Sequence, residues 1–442
     1  MNKNLIINKT IKSFNKKLKI EGDKSLSIRW VLISSLSKKK STAYNLLKSE
    51  DVQSAITCIK RLGSKVIIKG NKCEITGTGL KIKLKKNLIL NAGNSGTLGR
   101  LILGLLINKN EKFKLKGDQS LSKRDFSRVM IPLKKFGATF DSNKNKLPIT
   151  MSGLEKPKAT YYHENKGSAQ CKSSIMFAAL KSDGITTIKA KKSRNHTELL
   201  FKYLKVPIKI KKTKKYDFIK LKGIKEISPI NYNIPGDISS SAFFIVLTIL
   251  SKKSQIIMKN INVNPSRIGV IHILKKMGAF IKILNKRKYK GEIIGDIFVK
   301  SSKNLKGFNC PKNLNSSAID EFLIIFLVAA RSKGVSFFKD LSELNKKESP
   351  RLIWGSKILN LMGIKTILTK NSIKIFGNPN LQIRKNIIIK NFLKDHRVFM
   401  MSVIAALTFG GKWKINDTDS IKTSFPTFLK MIKHLEEKSI KN

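Results

Sequence analysis

Leu274-Lys275-Lys276-Met277-Gly278 closes a helix-like segment and opens an alternating one, and the same pattern stands at 59–63, 133–137 and 359–363. Each copy runs apolar residue, two spacers, apolar residue, Gly. Gly at that place fits a helix C-terminus, where a left-handed conformation costs little without a Cβ. Beyond each copy come an apolar alternation, a polar turn and a second alternation, as in Val66-Ile67-Ile68 before 73–76 and Thr366-Ile367-Leu368 before Ile373–Phe376. Alternation across a polar turn predicts a β-hairpin. The second strand ends at Gly77, Gly153, Gly223 and Gly377, with Ser301 near the expected fourth place, at intervals of 76, 70, 78 and 76 residues. One more unit is therefore expected between Gly137 and Gly278, its helix over 197–205 stopping at Pro207 without the Gly. A period near 75 in 442 residues predicts six units of helix, hairpin and connecting elements. Units this large form one or two closed domains rather than an open solenoid.

The chain is strongly basic, with 89 Lys and Arg against 28 Asp and Glu and a net charge of +61. A hydrophobic fraction of 41% is too high for a disordered polycation, so the chain is expected to fold. Charge of this size first suggests nucleic acid or an anionic membrane as partner. Against nucleic acid, Lys is spread through all six units and aromatics make up only 7%. Against a membrane, the longest apolar runs, such as 242–250 and 322–330, are about half the roughly 20 residues a span needs. The first 21 residues lack the continuous apolar segment of a secretory signal. Cys58, Cys73, Cys171 and Cys310 have no metal-ligand spacing and read as free thiols of a reducing cytosol.

Only 12 of the cations are Arg, and 77 are Lys. Lys, Ile and Asn all have codons rich in A and T, so an AT-rich coding sequence is the expected cause of the excess. Arg offers a planar fork for carboxylate or phosphate that Lys cannot imitate. Eight of the 12 stand in compact segments with Gly, Ser, Asp or His: Arg29, Arg100, Arg124, Arg128, Arg194, Arg267, Arg351 and Arg397. Several Arg forks with few acids nearby suggest a site for a multiply anionic small molecule. Three Gly-Asp stretches, at 22–25, 117–120 and 235–240, read as helix caps that also attract anions. The loop 93–97 lacks the Gly-Lys-Ser/Thr of a Walker motif, but its small residues suit close backbone approach to an anion. Asp320-Glu321 precedes an apolar helix, and the local pattern alone favours capping over function. Glu348 lies between Lys347 and Arg351, a setting that favours the ionised carboxylate.

Taken in order, these segments resemble the 5-enolpyruvylshikimate-3-phosphate synthase family of enolpyruvyl transferases. The resemblance runs along nearly the whole chain. It rests on 22–29, 93–97 with Arg100, 117–124, 168–173, 194–198, 235–240, 264–267, 319–321, 347–349 with Arg351, 395–397 and 424–426. It implies an α/β (α+β) fold of two lobes, each of three β-α-β-α-β-β units. Residues 1–21 plus 238–442 would form one lobe and 22–237 the other, with the active site in the cleft between them.

The implied reaction moves the enolpyruvyl group of phosphoenolpyruvate onto the 5-hydroxyl of shikimate 3-phosphate through a tetrahedral intermediate, with no metal and no cofactor. Lys24 would touch both substrates and act in proton transfer. Ser25, Arg29, Ser168, Ala169, Gln170, Arg194 and Lys347 would hold shikimate 3-phosphate. Gly96, Arg124, Gln170, Arg351 and Arg397 would hold phosphoenolpyruvate, with Gly96 leaving space that a methyl would fill. Asp320 would accept the hydroxyl proton, and Glu348 would exchange the proton at the methylene carbon. Pro350 stands where the family usually has Asp, and Thr423 where one branch has Lys. The related UDP-N-acetylglucosamine enolpyruvyl transferases usually carry a Lys-Asn pair near the start and a loop Cys. Here the pair is Lys24-Ser25, and none of the four Cys lies in a matching loop. The expected partners are the two small-molecule substrates, with no specific nucleic acid and no membrane, for a cytoplasmic monomer.

Overall fold

The computed structural model describes residues 4–437. Six buried helices carry the six units: Lys24–Ser35, Gly96–Leu105, Ala169–Ala179, Ile238–Leu250, Phe322–Arg331 and His396–Phe409. Every residue of Ile238–Leu250 is buried, and so is all of Phe322–Arg331 except its final Arg. A helix apolar on all sides must be surrounded by protein. Five of the six open on a side-chain cap. Asp23, Ser95, Ser168, Asp237 and Asp395 each accept a backbone N–H two or three residues on. All three Gly-Asp stretches are caps, since Asp118 also accepts from Leu121 N at 2.7 Å. Phe322–Arg331 differs, because Glu321 precedes it without a capping bond.

Each buried helix leads into a strand inside a small sheet. Five sheets have four strands and the sixth has three, among the described residues. One plan recurs, in which the strand after the helix pairs in parallel on one side and antiparallel on the other. Phe113–Lys116 and Ile185–Lys191 pair in parallel with the strands just before their helices, Leu88–Asn91 and Tyr161–Glu164. Two units exchange that first strand. Asn15–Leu18 precedes the helix Lys24–Ser35 but pairs with Gln255–Asn262, the strand after Ile238–Leu250. Tyr232–Asn233 precedes Ile238–Leu250 but pairs with Ser41–Tyr44, the strand after Lys24–Ser35. The three-stranded sheet takes its antiparallel neighbour, Leu5–Ile7, from near the chain start.

The repeat glycines work as the pattern predicts. Gly63, Gly137, Gly278 and Gly363 take φ of +95°, +99°, +95° and +88° just past a helix. In the unit without the Gly, the helix is His196–Tyr203 and Lys205 takes the left-handed turn at φ +58°. Glycines at the ends of second strands serve close packing instead. A Cβ on Gly153 would stand 1.7 Å from Ile107 O, and one on Gly223 2.2 Å from Ser182 O.

The chain divides into two compact units, each with its own apolar core and three sheets. The first takes the chain up to Glu21, Pro235–Arg287 and everything from Ile293. The second takes Gly22–Ile234 and, on a brief return, Lys288–Glu292. The resemblance puts the boundary after Asp237 and implies no such return. No single helix among the described residues is long and apolar enough to cross a membrane.

Candidate active site

In the second unit the expected residues stand at helix starts. Lys24 and Ser25 open Lys24–Ser35, and Lys24 Nζ lies 3.1 Å from Asp51 Oδ2, near the start of Glu50–Arg61. Arg29 lies one turn past Ser25 and is 3% exposed. It donates through Nε to Thr197 Oγ1 at 2.8 Å, through Nη2 to Ser173 Oγ at 3.0 Å and through Nη1 to Ser25 O at 3.0 Å. Those contacts join the helices Lys24–Ser35, Ala169–Ala179 and His196–Tyr203. Ser168 caps Ala169–Ala179, and Ala169 is its first residue. Gln170 accepts from Arg100 Nη1 at 2.9 Å and donates to Thr97 Oγ1 at 3.0 Å, which joins that helix to Gly96–Leu105. A Cβ on Gly96 would stand 2.8 Å from Arg100 Nη1 and 3.1 Å from Arg124 Nη1. Glycine there lets two guanidinium groups approach the helix start. Arg194 is half-buried, two residues before His196–Tyr203.

The first unit gathers a denser charged network. Asp320 Oδ1 lies 3.1 Å from Lys347 Nζ and 3.5 Å from Arg351 Nη1. Arg351 opens the helix Arg351–Leu361 and is 2% exposed. It donates to Asp395 through Nε at 2.8 Å and through Nη2 at 3.2 Å, and its Nη2 also donates to Glu348. Burial works against the Arg351 charge. Asp395, Glu348 and Asp320 outweigh it, and the guanidinium is held more firmly protonated than an ordinary arginine. Arg397 Nη1 donates to Asp320 O at 2.6 Å and lies 3.8 Å from Glu321 Oε1. Pro350 sits at the N-cap of Arg351–Leu361, and Ser349 beside it donates to Asp395 through its hydroxyl at 2.9 Å. The Pro therefore does not turn Arg351 away from this cluster. Thr423 Oγ1 lies 3.4 Å from His396 Nδ1, while Lys422 pairs with Asp419 at 3.0 Å on the surface.

Each unit thus collects its share of the expected residues. Lys24, Ser25, Arg29, Gly96, Arg124, Ser168, Ala169, Gln170 and Arg194 fall in one unit, and Asp320, Lys347, Glu348, Arg351 and Arg397 in the other. The capping expectation for Asp320-Glu321 fails, because Asp320 turns to Lys347 and Arg351 and Glu321 accepts from Ser239.

Sequence reasoning missed the acids that orient the cations. Asp51 and Asp395 are two. A third is Glu198, 2.5 Å from Lys172 Nζ with both side chains nearly inaccessible. A fourth is Glu292, 2.7 Å from His196 Nδ1. Asp395 and Glu198 lie inside motifs already quoted, but nothing local marks Asp51 or Glu292. The four thiols are buried, and burial pushes Cys58 and Cys171 up to about 12 and Cys73 and Cys310 up to about 11.

Cations at helix N-termini, backed by exposed backbone N–H groups, suit phosphate and carboxylate ligands. Comparison with known proteins gives this arrangement a family. A profile described as EPSP synthase (3-phosphoshikimate 1-carboxyvinyltransferase) matches residues 8–432. The chain belongs to the EPSP synthase family. A curated relative named 3-phosphoshikimate 1-carboxyvinyltransferase, from Ruthia magnifica subsp. Calyptogena magnifica, is 38% identical over 420 residues, 94% of each chain. Another of that name, from Thermoanaerobacter sp. strain X514, is 38% identical over 417 residues, 93% of this chain and 96% of its own. Among solved structures, an EPSP synthase from Acinetobacter baumannii matches with a TM-score of 0.86 and 31% identity, covering 98% of both chains. The enolpyruvyl transferase NikO from Streptomyces tendae shares the fold, with a TM-score of 0.77, 10% identity and 98% of each chain covered. The two-lobed fold that the resemblance implies is the fold of these EPSP synthase neighbours.

Proposed function

We propose that this chain transfers the enolpyruvyl group of phosphoenolpyruvate to the 5-hydroxyl of shikimate 3-phosphate and releases inorganic phosphate. The observation that carries the reading is Asp320, whose carboxylate faces Lys347 and Arg351 and whose backbone carbonyl accepts from Arg397, in a member of the EPSP synthase family. Two substrates with phosphate and carboxylate groups repel each other, and positioned cations offset that repulsion while fixing the reacting atoms. Arg29, Arg194, Ser25, Ser168, Ala169, Gln170 and Lys347 serve shikimate 3-phosphate. Lys24 serves both substrates, and Arg124, Arg351 and Arg397 serve phosphoenolpyruvate, with Gly96 and Gln170 also in that set.

The chemistry is addition followed by elimination. The 5-oxygen bonds to C2 of phosphoenolpyruvate and passes its proton to Asp320, while C3 gains a proton from Glu348. The tetrahedral intermediate then loses that C3 proton and the phosphate. A positioned base of this kind contributes about 10²- to 10⁴-fold. The substrates are small anions, and the chain acts as a cytoplasmic monomer. A phosphate-release assay with both substrates tests the reading. Failure to release phosphate, with release on UDP-N-acetylglucosamine instead, would transfer the chain to the other enolpyruvyl transferases.

A further inference from the structure

Two motifs of the sequence, 235–240 and 264–267, contribute no residue to the roles above, yet their side chains meet in the first unit. Asp237 Oδ1 accepts the backbone N–H of Ser239 at 2.7 Å and lies 3.3 Å from Arg267 Nη2. Arg267, 1% exposed, donates through the same Nη2 to Ser239 Oγ at 2.8 Å. An arginine has no acceptor, so the hydroxyl proton of Ser239 is directed away from it. That proton goes to Glu321 Oε1. Glu321 is fully buried, and its Oε1 faces Arg397 Nη1 at 3.8 Å, while the same nitrogen donates to the carbonyl of Asp320.

We infer that Glu321 is a positioning residue for Arg397, held in register by Ser239 and Arg267. This rests on the reading that Arg397 binds phosphoenolpyruvate. The line runs from a helix cap through a one-way hydroxyl to a carboxylate that sets one edge of a guanidinium. The Asp320 carbonyl accepts from the same Nη1 and fixes it from a second side. Arg397 therefore presents its remaining N–H groups in one orientation. A buried carboxylate is costly unless cations and hydrogen bonds hold it, and Ser239 links Arg267 to Glu321.

The test is steady-state kinetics of Ser239→Ala and of the near-isosteric Glu321→Gln, with each substrate varied in turn. Ser239→Ala is then repeated in an Arg397→Lys background. Each single variant is expected to raise the KM for phosphoenolpyruvate about 10-fold, leaving the KM for shikimate 3-phosphate within about 2-fold. Once Arg397 is Lys, Ser239→Ala is expected to add less than about 2-fold, because groups acting through one another are not additive. An unchanged phosphoenolpyruvate KM in Glu321→Gln, or an undiminished Ser239→Ala effect in the Arg397→Lys background, overturns the inference while the functional reading stands. A wild-type chain that does not turn over the two substrates overturns both.

Discussion

Arg29 and Arg351 are both buried residues of the candidate site, 3% and 2% exposed, but their surroundings differ in charge. Within the second unit Arg29 is oriented by two hydroxyls and a carbonyl. Arg351, in the first unit, faces Asp320, Glu348 and Asp395. A hydroxyl fixes a guanidinium without cancelling its charge, and Thr197 and Ser173 fix Arg29 in that way. Carboxylates fix a guanidinium more strongly but neutralise it. Arg351 is thus first an anchor, and a ligand anion meets it only in competition with acids already in place. The contrast lies between these two arginines and not between the units as wholes, since Lys24 and Lys172 of the second unit also face acids.

The largest effect expected from that contrast is at Asp320. If the acid is the base of the reaction and not merely one of the Arg351 anchors, Asp320→Ala lowers kcat about 10³-fold while substrate affinity changes little. Kinetics with both substrates read this directly, and wild-type turnover would remove Asp320 from the mechanism. Next comes Asp395→Ala, which strips the acid that takes two hydrogen bonds from Arg351. Breaking one partner of a buried pair costs about 3–5 kcal/mol. A urea titration of Asp395→Ala is expected to show a loss of that order, and a loss under about 1 kcal/mol would erase the contrast with Arg29. Gly96→Ala probes the second unit. The tight contacts of the new methyl are with the far ends of the Arg100 and Arg124 side chains, and Leu121 Cδ1 at 3.7 Å is an ordinary contact, so the fold should survive. The KM for phosphoenolpyruvate is expected to rise about 10-fold, equivalent to some 1.4 kcal/mol of lost binding. A rise confined to the KM for shikimate 3-phosphate would assign Gly96 to the other substrate.

The fold was legible where chemistry repeats locally. The Gly at 63, 137, 278 and 363 marked helix ends because each needs a positive φ, and the hairpins followed from alternation. Lys205 escaped notice because a non-Gly residue there takes the same turn at a cost the sequence does not display. The exchange of Asn15–Leu18 and Tyr232–Asn233 was invisible, since both are short and pair with strands some 200 residues away. At the site, the rare Arg pointed to the candidate anion-binding residues against a background of 77 Lys. Their acidic partners were hidden because an Asp or Glu at a helix start reads equally well as a cap. Asp395 does both, capping His396–Phe409 and holding Arg351. Glu321 does only the second kind of work, and it took the position of its side chain to separate the two.

The smallest effect is the one that asks whether neutral acceptors anchor at all. Thr197 Oγ1 accepts from Arg29 Nε and also bonds Ser173 Oγ at 2.7 Å, so it is the hinge of the neutral set. Thr197→Val keeps the shape and removes both bonds. A typical neutral hydrogen bond contributes about 0.5–1.5 kcal/mol net, so the expected stability loss is about 1 kcal/mol, well below that of Asp395→Ala. Arg29 keeps Ser173 and the Ser25 carbonyl, which limits its freedom to swing. The KM for shikimate 3-phosphate is then expected to rise only about 3-fold, because the charge that draws the phosphate is still present. Calorimetric melting and substrate titration of the one variant separate the two quantities. A melting loss as large as that of Asp395→Ala would mean that hydroxyls lock Arg29 as firmly as acids lock Arg351. The difference between the two arginines would then lie in charge alone and not in rigidity.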